Sequence, residues 1–295
     1  MHHVTVCGRT DVGRVRERNE DAFVISDLTG HGVTRDESLL HEPGPMRFAI
    51  GQRGVLLAVS DGLGGHPAGD VASALVVEAL TRSMARQPVP EACCELMEKA
   101  VQQANREVWE ASRSPWRKGM GATLTAIFLH HKTAHIAEVG DSRAYLLRGG
   151  QLRQITRDQS YTQLLVDWGE LRPSEAKDSP HRNFVLQAMG QEANVRAELG
   201  CIALREKDCF LLCSDGLSNK VEDAELRDIV LAAPRLDMAC ERLLATANAR
   251  GGEDNITAIV AGVSGDLPPF VFGERISDTH VVLQEFVAPQ PPGDD

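Results

Sequence analysis

An α+β sandwich is the fold class that this 295-residue sequence predicts, on three observations. Short β-branched or leucine-rich runs recur along the chain, punctuated by Gly, Asp or Asn. Helical patterns come in pairs between groups of strands, where a parallel sheet would need strict strand–helix alternation. Two tight turns, at His131-Lys132 and Gly149-Gly150, favour antiparallel pairing of their flanking strands.

In chain order, strand-like runs occupy 3–9, 21–26 and 54–60. Residues 28–53 connect the second to the third and are rich in Gly, Pro and charge, a length uncommon unless functional or disordered. Residues 67–86 read as a helix, with Pro67 in its first turn and Val71, Leu75, Val76 and Leu80 on one stripe. Residues 90–112 repeat the pattern with Leu96, Val101, Ala104 and Val108. Such stripes are core faces, because an amphipathic helix must bury its apolar side.

Strands follow at 121–130, 133–139 and 143–148. Residues 158–190 are polar and mixed, with a short helix around 159–168 and a turn at Pro173, and read as a mobile excursion beside a site. Further strands at 195–203 and 208–214 precede a second helix pair, 222–232 and 235–249, and a last strand at 256–263. From about 265 onward, Pro268-Pro269 and Pro289 through Asp295 predict an extended tail, in which Ser277 and Thr279 are candidate phosphorylation sites.

The bulk composition narrows the function. A net charge of −11 without any Lys/Arg-dense stripe argues against nucleic acid as a partner. No apolar stretch approaches the ~20 residues of a membrane span, and the amino terminus lacks the apolar core of a signal peptide. Seven cysteines show no CxxC spacing, and Cys201, Cys209 and Cys213 lie in apolar segments as small core residues. A reducing, cytoplasmic protein is the expectation.

Five short acidic motifs carry the chemistry: Arg16-Glu-Arg-Asn-Glu20-Asp21, Ser60-Asp61-Gly62, Gly140-Asp141-Ser142-Arg143, Ser214-Asp215-Gly216 and Glu253-Asp254-Asn255. Most end an apolar run, as Asp61 ends Val55-Leu-Leu-Ala-Val59 and Asp215 follows Phe210-Leu-Leu-Cys213. Carboxylates gathered at the ends of core strands repel one another and lose hydration, which cations relieve. Oxygen-only ligands suit Mg²⁺, Mn²⁺ or Ca²⁺ better than Zn²⁺ or Cu²⁺. Four or five carboxylates fit two bridged ions, ~3.5–4 Å apart in such sites, better than one. Arg16 has two readings: a bidentate grip on a phosphoryl group, or a surface ion pair with Glu20.

In this order the motifs resemble the bacterial metal-dependent protein Ser/Thr phosphatases of the type 2C (PPM) family. The matching stretches are Val12-Gly-Arg-Val-Arg16 through Asp21, Asp61-Gly-Leu-Gly-Gly-His66, Gly121-Ala-Thr-Leu124, Val139-Gly-Asp-Ser-Arg143, Ser214-Asp-Gly-Leu217 and Asp254-Asn-Ile-Thr257. The resemblance covers roughly 4–264, so a domain over 1–264 with a flap at 158–190 is expected. It implies an αββα sandwich, two antiparallel sheets each covered by a helix pair. It implies Asp61 bridging two Mn²⁺ or Mg²⁺ ions, Asp215 and Asp254 completing one, and the Gly62 carbonyl serving the other with Asp21 and Glu20 near it. Asp141 would help Asp215 hold a third, weaker ion, and Arg16 becomes the phosphate clamp.

The implied activity is hydrolysis of phosphoserine and phosphothreonine by a hydroxide bridging the two ions, reversing a bacterial Ser/Thr kinase. Its partners would be that kinase and phosphorylated proteins, with neither nucleic acid nor membrane. Two departures leave the general acid open. Leu63 stands where animal members carry a His, while His66, three residues on, is carried as a catalytic candidate. Ser179 stands where bacterial flaps often have a His, with His181 two residues later. A metal-bound water is the other proton donor to consider. The alternative functions are a two-metal phosphatase of small phosphate esters and a non-catalytic phosphoprotein-binding regulator of the same fold.

Overall fold

The computed structural model describes residues 2–29, 33–35, 44–63, 68–87, 93–181 and 184–288. Alternation along the strands sets the layering. In β5 (Val55–Asp61) every residue before Asp61 is buried. Val55, Leu57 and Val59 join the core between the two sheets, while Leu56 and Ala58 join a second core under a helix pair. A strand apolar on both faces is what a middle layer requires.

Among the described residues one sheet has six strands. Their spatial order is β4 (Met46–Ala49), β1 (His2–Asp11), β12 (Ile256–Gly265), β11 (Cys209–Cys213), β8 (Arg143–Arg148) and β9 (Gln151–Gln154). The other has seven: β13 (His280–Gln284), β10 (Glu198–Ala203), β7 (Thr133–Val139), β6 (Leu124–His130), β5, β2 (Asp21–Asp27) and β3 (Val33–Arg35). Every ladder is antiparallel.

Val4, Val6, Ile25, Phe210 and Ile259 fill the space between the sheets. α1 (Gly69–Arg86) and α2 (Cys93–Ser112) cover the seven-stranded sheet through Val76, Leu80, Leu96 and Val101. α5 (Asp223–Ala232) and α6 (Leu236–Ala249) cover the other through Leu226, Leu243 and Leu244. This is the αββα arrangement expected. None of the described helices is long and apolar enough to cross a membrane.

Two segments, 28–53 and the region after 265, differ from the sequence reading, whereas the helix and turn expected within 158–190 are present. The 28–53 connection carries two short strands, β3 and β4, which extend opposite sheets. The 158–190 excursion holds α3 (Tyr161–Asp167) and a 3₁₀ turn at Pro173–Asp178. Residues 265–288 are more than an extended tail, because β13 adds an edge to the seven-stranded sheet by pairing with β10. A buried ion pair holds this region: Arg148 Nε and Nη2 each donate to Asp208 at 2.7 Å, and Arg148 Nη1 donates to Thr279 Oγ1 at 2.6 Å. Pro67, His66 and residues 90–92 lie outside the described residues.

Candidate active site

Antiparallel pairing of β2 with β5 puts Asp21 directly opposite Asp61, so two carboxylates share one sheet end. The end of β7 leads to Asp141, the end of β11 to Asp215 on the short helix α4 (Asp215–Ser218), and Asp254 lies two residues before β12. The result is one cleft of about 430 Å³ whose lining includes Arg16, Asp61, Gly62, Asp141, Asp215 and Asp254. Six of the residues singled out from sequence therefore meet. Asp21 sits buried behind them. Glu20 lies against the glycines, its carboxylate Oε1 only 2.9 Å from where a Cβ on Gly69 would stand. His66 lies outside the described residues.

Both Asp-Gly pairs need glycine because backbone crowds the second position. A Cβ on Gly62 would come within 2.4 Å of the Gly69 carbonyl and 2.7 Å of the Glu20 carbonyl. One on Gly216 would come within 2.0 Å of the Asn255 carbonyl. Each aspartate is thereby locked against a neighbouring motif.

A relay of side-chain donors orients Asp21. Its Oδ2 accepts from Ser214 Oγ at 2.7 Å and from Thr257 Oγ1 at 2.6 Å. Thr257 has spent its only hydroxyl proton on Asp21, so at 2.8 Å the Thr10 hydroxyl must donate to it. Asn19 Nδ2 in turn donates to Thr10 Oγ1 at 2.7 Å. The other oxygen, Asp21 Oδ1, is buried with no hydrogen-bond partner among the described residues. Asp61 is held through its backbone, whose N–H donates to Thr123 Oγ1 at 2.9 Å; that hydroxyl also bonds Ser142 Oγ at 2.7 Å. Asn255 clamps the entry loop: its Nδ2 donates to the carbonyls of Val12 and Arg18 at 2.9 Å each, and its Oδ1 accepts from Glu20 N at 2.8 Å.

Sequence reasoning did not single out these supporting side chains. Ser214, Thr257, Asn255, Asn19 and Thr123 stand inside the quoted motifs, so the signal was present but unread. Thr10 is visible only through its place in the relay.

The electrostatics are those of crowded, dehydrated acids. Burial pushes the Asp21 carboxyl up to about 7, with Asp215 and Asp254 adding like-charge repulsion. Burial raises Asp215 to about 6, Asp254 adds to this, and a hydrogen bond with Asp61 pulls the other way. Asp61 and Asp141 are raised well above the ordinary carboxylate range, again mainly by burial and then by neighbouring aspartates. Glu20 is raised by burial as well.

Arg16 answers part of this charge, but not by the pairing with Glu20 considered from sequence. Its Nε meets Asp254 Oδ1 at 2.9 Å and its Nη2 meets Oδ2 at 3.1 Å, a two-pronged contact. Among the described residues no three His, Cys, Asp or Glu side chains converge into a closed cation cage. The donor set nevertheless fits hard divalent cations: every candidate ligand is oxygen, the carboxyls resist ionising without compensation, and one buried Asp21 oxygen lacks a partner among the described residues.

Of the flap histidine candidates, His181 does not line the cleft, whereas its neighbours Pro180 and Phe184 do. The His181 ring instead packs edge-on against Tyr161 and Phe184.

The family profile described as Protein phosphatase 2C matches residues 46–260. The Serine/threonine phosphatase stp of Listeria monocytogenes is 34% identical over 256 residues, covering 85% of this chain and 93% of that protein. The Serine/threonine protein phosphatase PstP of Mycobacterium tuberculosis is 40% identical over 210 residues, 70% of this chain and 40% of its own length. A crystal structure of the catalytic domain of PstP in complex with two manganese ions superposes with a TM-score of 0.73 at 33% identity, covering 90% of this chain and all of that one. With the family profile matching residues 46–260 and relatives matching most of its length, this chain belongs to the protein phosphatase 2C family.

Proposed function

We propose that this chain is a metal-dependent protein phosphatase that hydrolyses phosphoserine and phosphothreonine with Mn²⁺ or Mg²⁺. The observation that carries the reading is the convergence of buried carboxylates from separate motifs on one cleft that also holds Arg16. Relatives that are Ser/Thr phosphatases, one solved with two manganese ions, support it. Asp61 would bridge the two cations, with Asp215 and Asp254 on one and the Gly62 carbonyl, Asp21 and Glu20 serving the other. Asp141 would share a third, weaker ion with Asp215. Bound there, divalent cations supply Lewis acidity, acidifying water and drawing charge from phosphoryl oxygens.

The chain's own residues do the rest. Arg16 would exchange Asp254 for two phosphoryl oxygens, orienting the ester and stabilising its charge in the transition state. The Asn19–Thr10–Thr257 relay and Ser214 keep Asp21 fixed, and Thr123 keeps the Asp61 backbone fixed, so the ligands need not reorganise. His66 stays a candidate proton donor for the leaving alkoxide.

A Ser/Thr kinase that generates the same phosphoproteins is the partner this reading implies. Seven cysteines held as thiols support a reducing, cytoplasmic setting. Purified protein is expected to release phosphate from a phosphothreonine peptide only with Mn²⁺ or Mg²⁺, and Asp61→Asn to lower kcat by at least about 10³-fold. Turnover that survives both EDTA and Asp61→Asn would rule the mechanism out.

A further inference from the structure

The cleft carries a second kind of surface beside its carboxylates: Leu63, Pro180, Phe184 and Val185 line it with hydrocarbon. Among the described residues Phe184, 63% exposed, is the one exposed large apolar side chain in the cleft lining; the others, Trp116 and Phe272 among them, lie elsewhere. Exposed aromatic surface inside a concavity is covered by ordered water, and an apolar group that displaces that water is favoured.

Phe184 is also held still. The His181 ring stands edge-on to it, 5.8 Å away at 71°, and edge-on to Tyr161 at 5.5 Å and 88°. The backbone repeats the clamp: the Phe184 N–H donates to the His181 carbonyl at 3.0 Å, and the Tyr161 N–H donates to the Phe184 carbonyl at 2.8 Å. Tyr161 opens α3, whose first turn is capped by Ser160 Oγ accepting from Gln163 N at 3.2 Å. Val185, the next residue, pairs with Ser160 in a β-bridge. An aromatic ring fixed by a capped helix and an edge-on imidazole has little rotamer freedom left to lose when something covers it. Inorganic phosphate or a compact ester would meet Arg16 and the carboxylates without needing such a wall. A peptide chain leaving the phosphorylated residue would run along it.

We infer that Phe184, seated by His181 against Tyr161, makes this cleft prefer phosphopeptides with an aliphatic or aromatic residue next to the phosphorylated one. The inference rests on the protein-phosphatase reading above and names its substrate class. His181 is then a positioning residue, acting through Phe184.

The test uses the full chain with Mn²⁺ and three phosphothreonine peptides: Leu immediately before the phosphoresidue, Leu immediately after it, and Ser at both places. p-Nitrophenyl phosphate serves as a wild-type control. The expected result is a kcat/KM about tenfold higher for at least one Leu peptide than for the Ser peptide, the scale of one apolar pocket contact. Phe184→Ala should erase that preference through KM, with kcat changed less than about twofold. His181→Ala should weaken the preference and His181→Phe, which keeps an edge-on ring, should restore it. A wild type that turns over p-nitrophenyl phosphate but treats the three peptides alike overturns the inference. So does a preference that persists in Phe184→Ala. A wild type that turns over neither ester nor peptide overturns the phosphatase reading instead.

Discussion

Arg16 shows how one side chain can serve two partners. Around the carboxylates it is the guanidinium that shields Asp254, and neighbouring Glu20 and Asp61 add to the field that keeps it charged. A phosphoryl group offers the same planar pair of oxygens as Asp254, so the exchange keeps the two-pronged geometry. Arg16→Ala is expected to lower kcat/KM for a phosphothreonine peptide by roughly 10²–10³-fold, the usual loss of one oriented donor of transition-state charge. Arg16→Lys keeps the charge but loses the fork, so it should recover less than a tenth of that deficit. Equal activity in the Lys variant and the wild type would show that only charge matters there. Asn255 is the structural counterpart. Its amide makes three bonds that tie the 12–20 loop to the end of the sandwich. At about 1 kcal/mol per bond, Asn255→Ala should lower unfolding free energy by roughly 2–3 kcal/mol, read by urea titration at constant m-value.

Among the elements, the region after residue 265 separates what sequence periodicity can show from what it cannot. β13 is five residues long, adds to an edge, and its apolar Val281, Val282 and Leu283 are 43–52% exposed. So short a run beside prolines carries no two-residue burial alternation to read, and its pairing with β10 is fixed by contacts distant in sequence. Arg148 supplies them: it lies in β8, its side chain is 1% exposed, and it binds both Asp208 and Thr279. Removing one partner of so buried a pair strands the other charge, so Arg148→Ala should cost about 3–5 kcal/mol. Thr279→Val, which loses one hydroxyl contact, should cost about 1 kcal/mol. Thermal melts of both variants check the ordering, and similar losses would contradict it. The long elements were legible because their signal is local. The stripes of α1 and α2 and the run Val55–Val59 state their own burial. β3, β4 and β9, three or four residues each, exist only because a neighbouring strand offers an edge. The site followed the same rule. Acidic residues at strand ends were readable one by one, whereas the pairing of Arg16 with Asp254 and the relay from Asn19 to Asp21 join positions 238 and 247 residues apart along their links.

For the whole molecule, the crowded carboxyls make folding, proton binding and metal binding one linked equilibrium. Asp21 has an ordinary value of 3.8 and is raised to about 7; Asp215 rises from 3.8 to about 6. A carboxyl raised on folding holds its proton more tightly in the native state. Its stabilisation is therefore complete below pH 3.8 and is lost as pH climbs through the native value. The metal-free protein should lose stability between about pH 4 and pH 7 from these two groups, and Asp61 and Asp141, raised in the same direction, extend the decline upward. Divalent cations compete with those protons, so binding must release them and must strengthen as pH rises. The stability added by saturating Mn²⁺ should accordingly be larger at pH 7.5 than at pH 5.5, because at the lower pH part of the binding energy goes into expelling protons. Calorimetric titration in buffers of different ionisation enthalpy would count the protons released near pH 6. A metal-free melting temperature that stays level from pH 4.5 to 7.5, with no proton release on Mn²⁺ addition, would mean that these carboxylates are already compensated within the protein, and that the cleft does not need cations to hold them together.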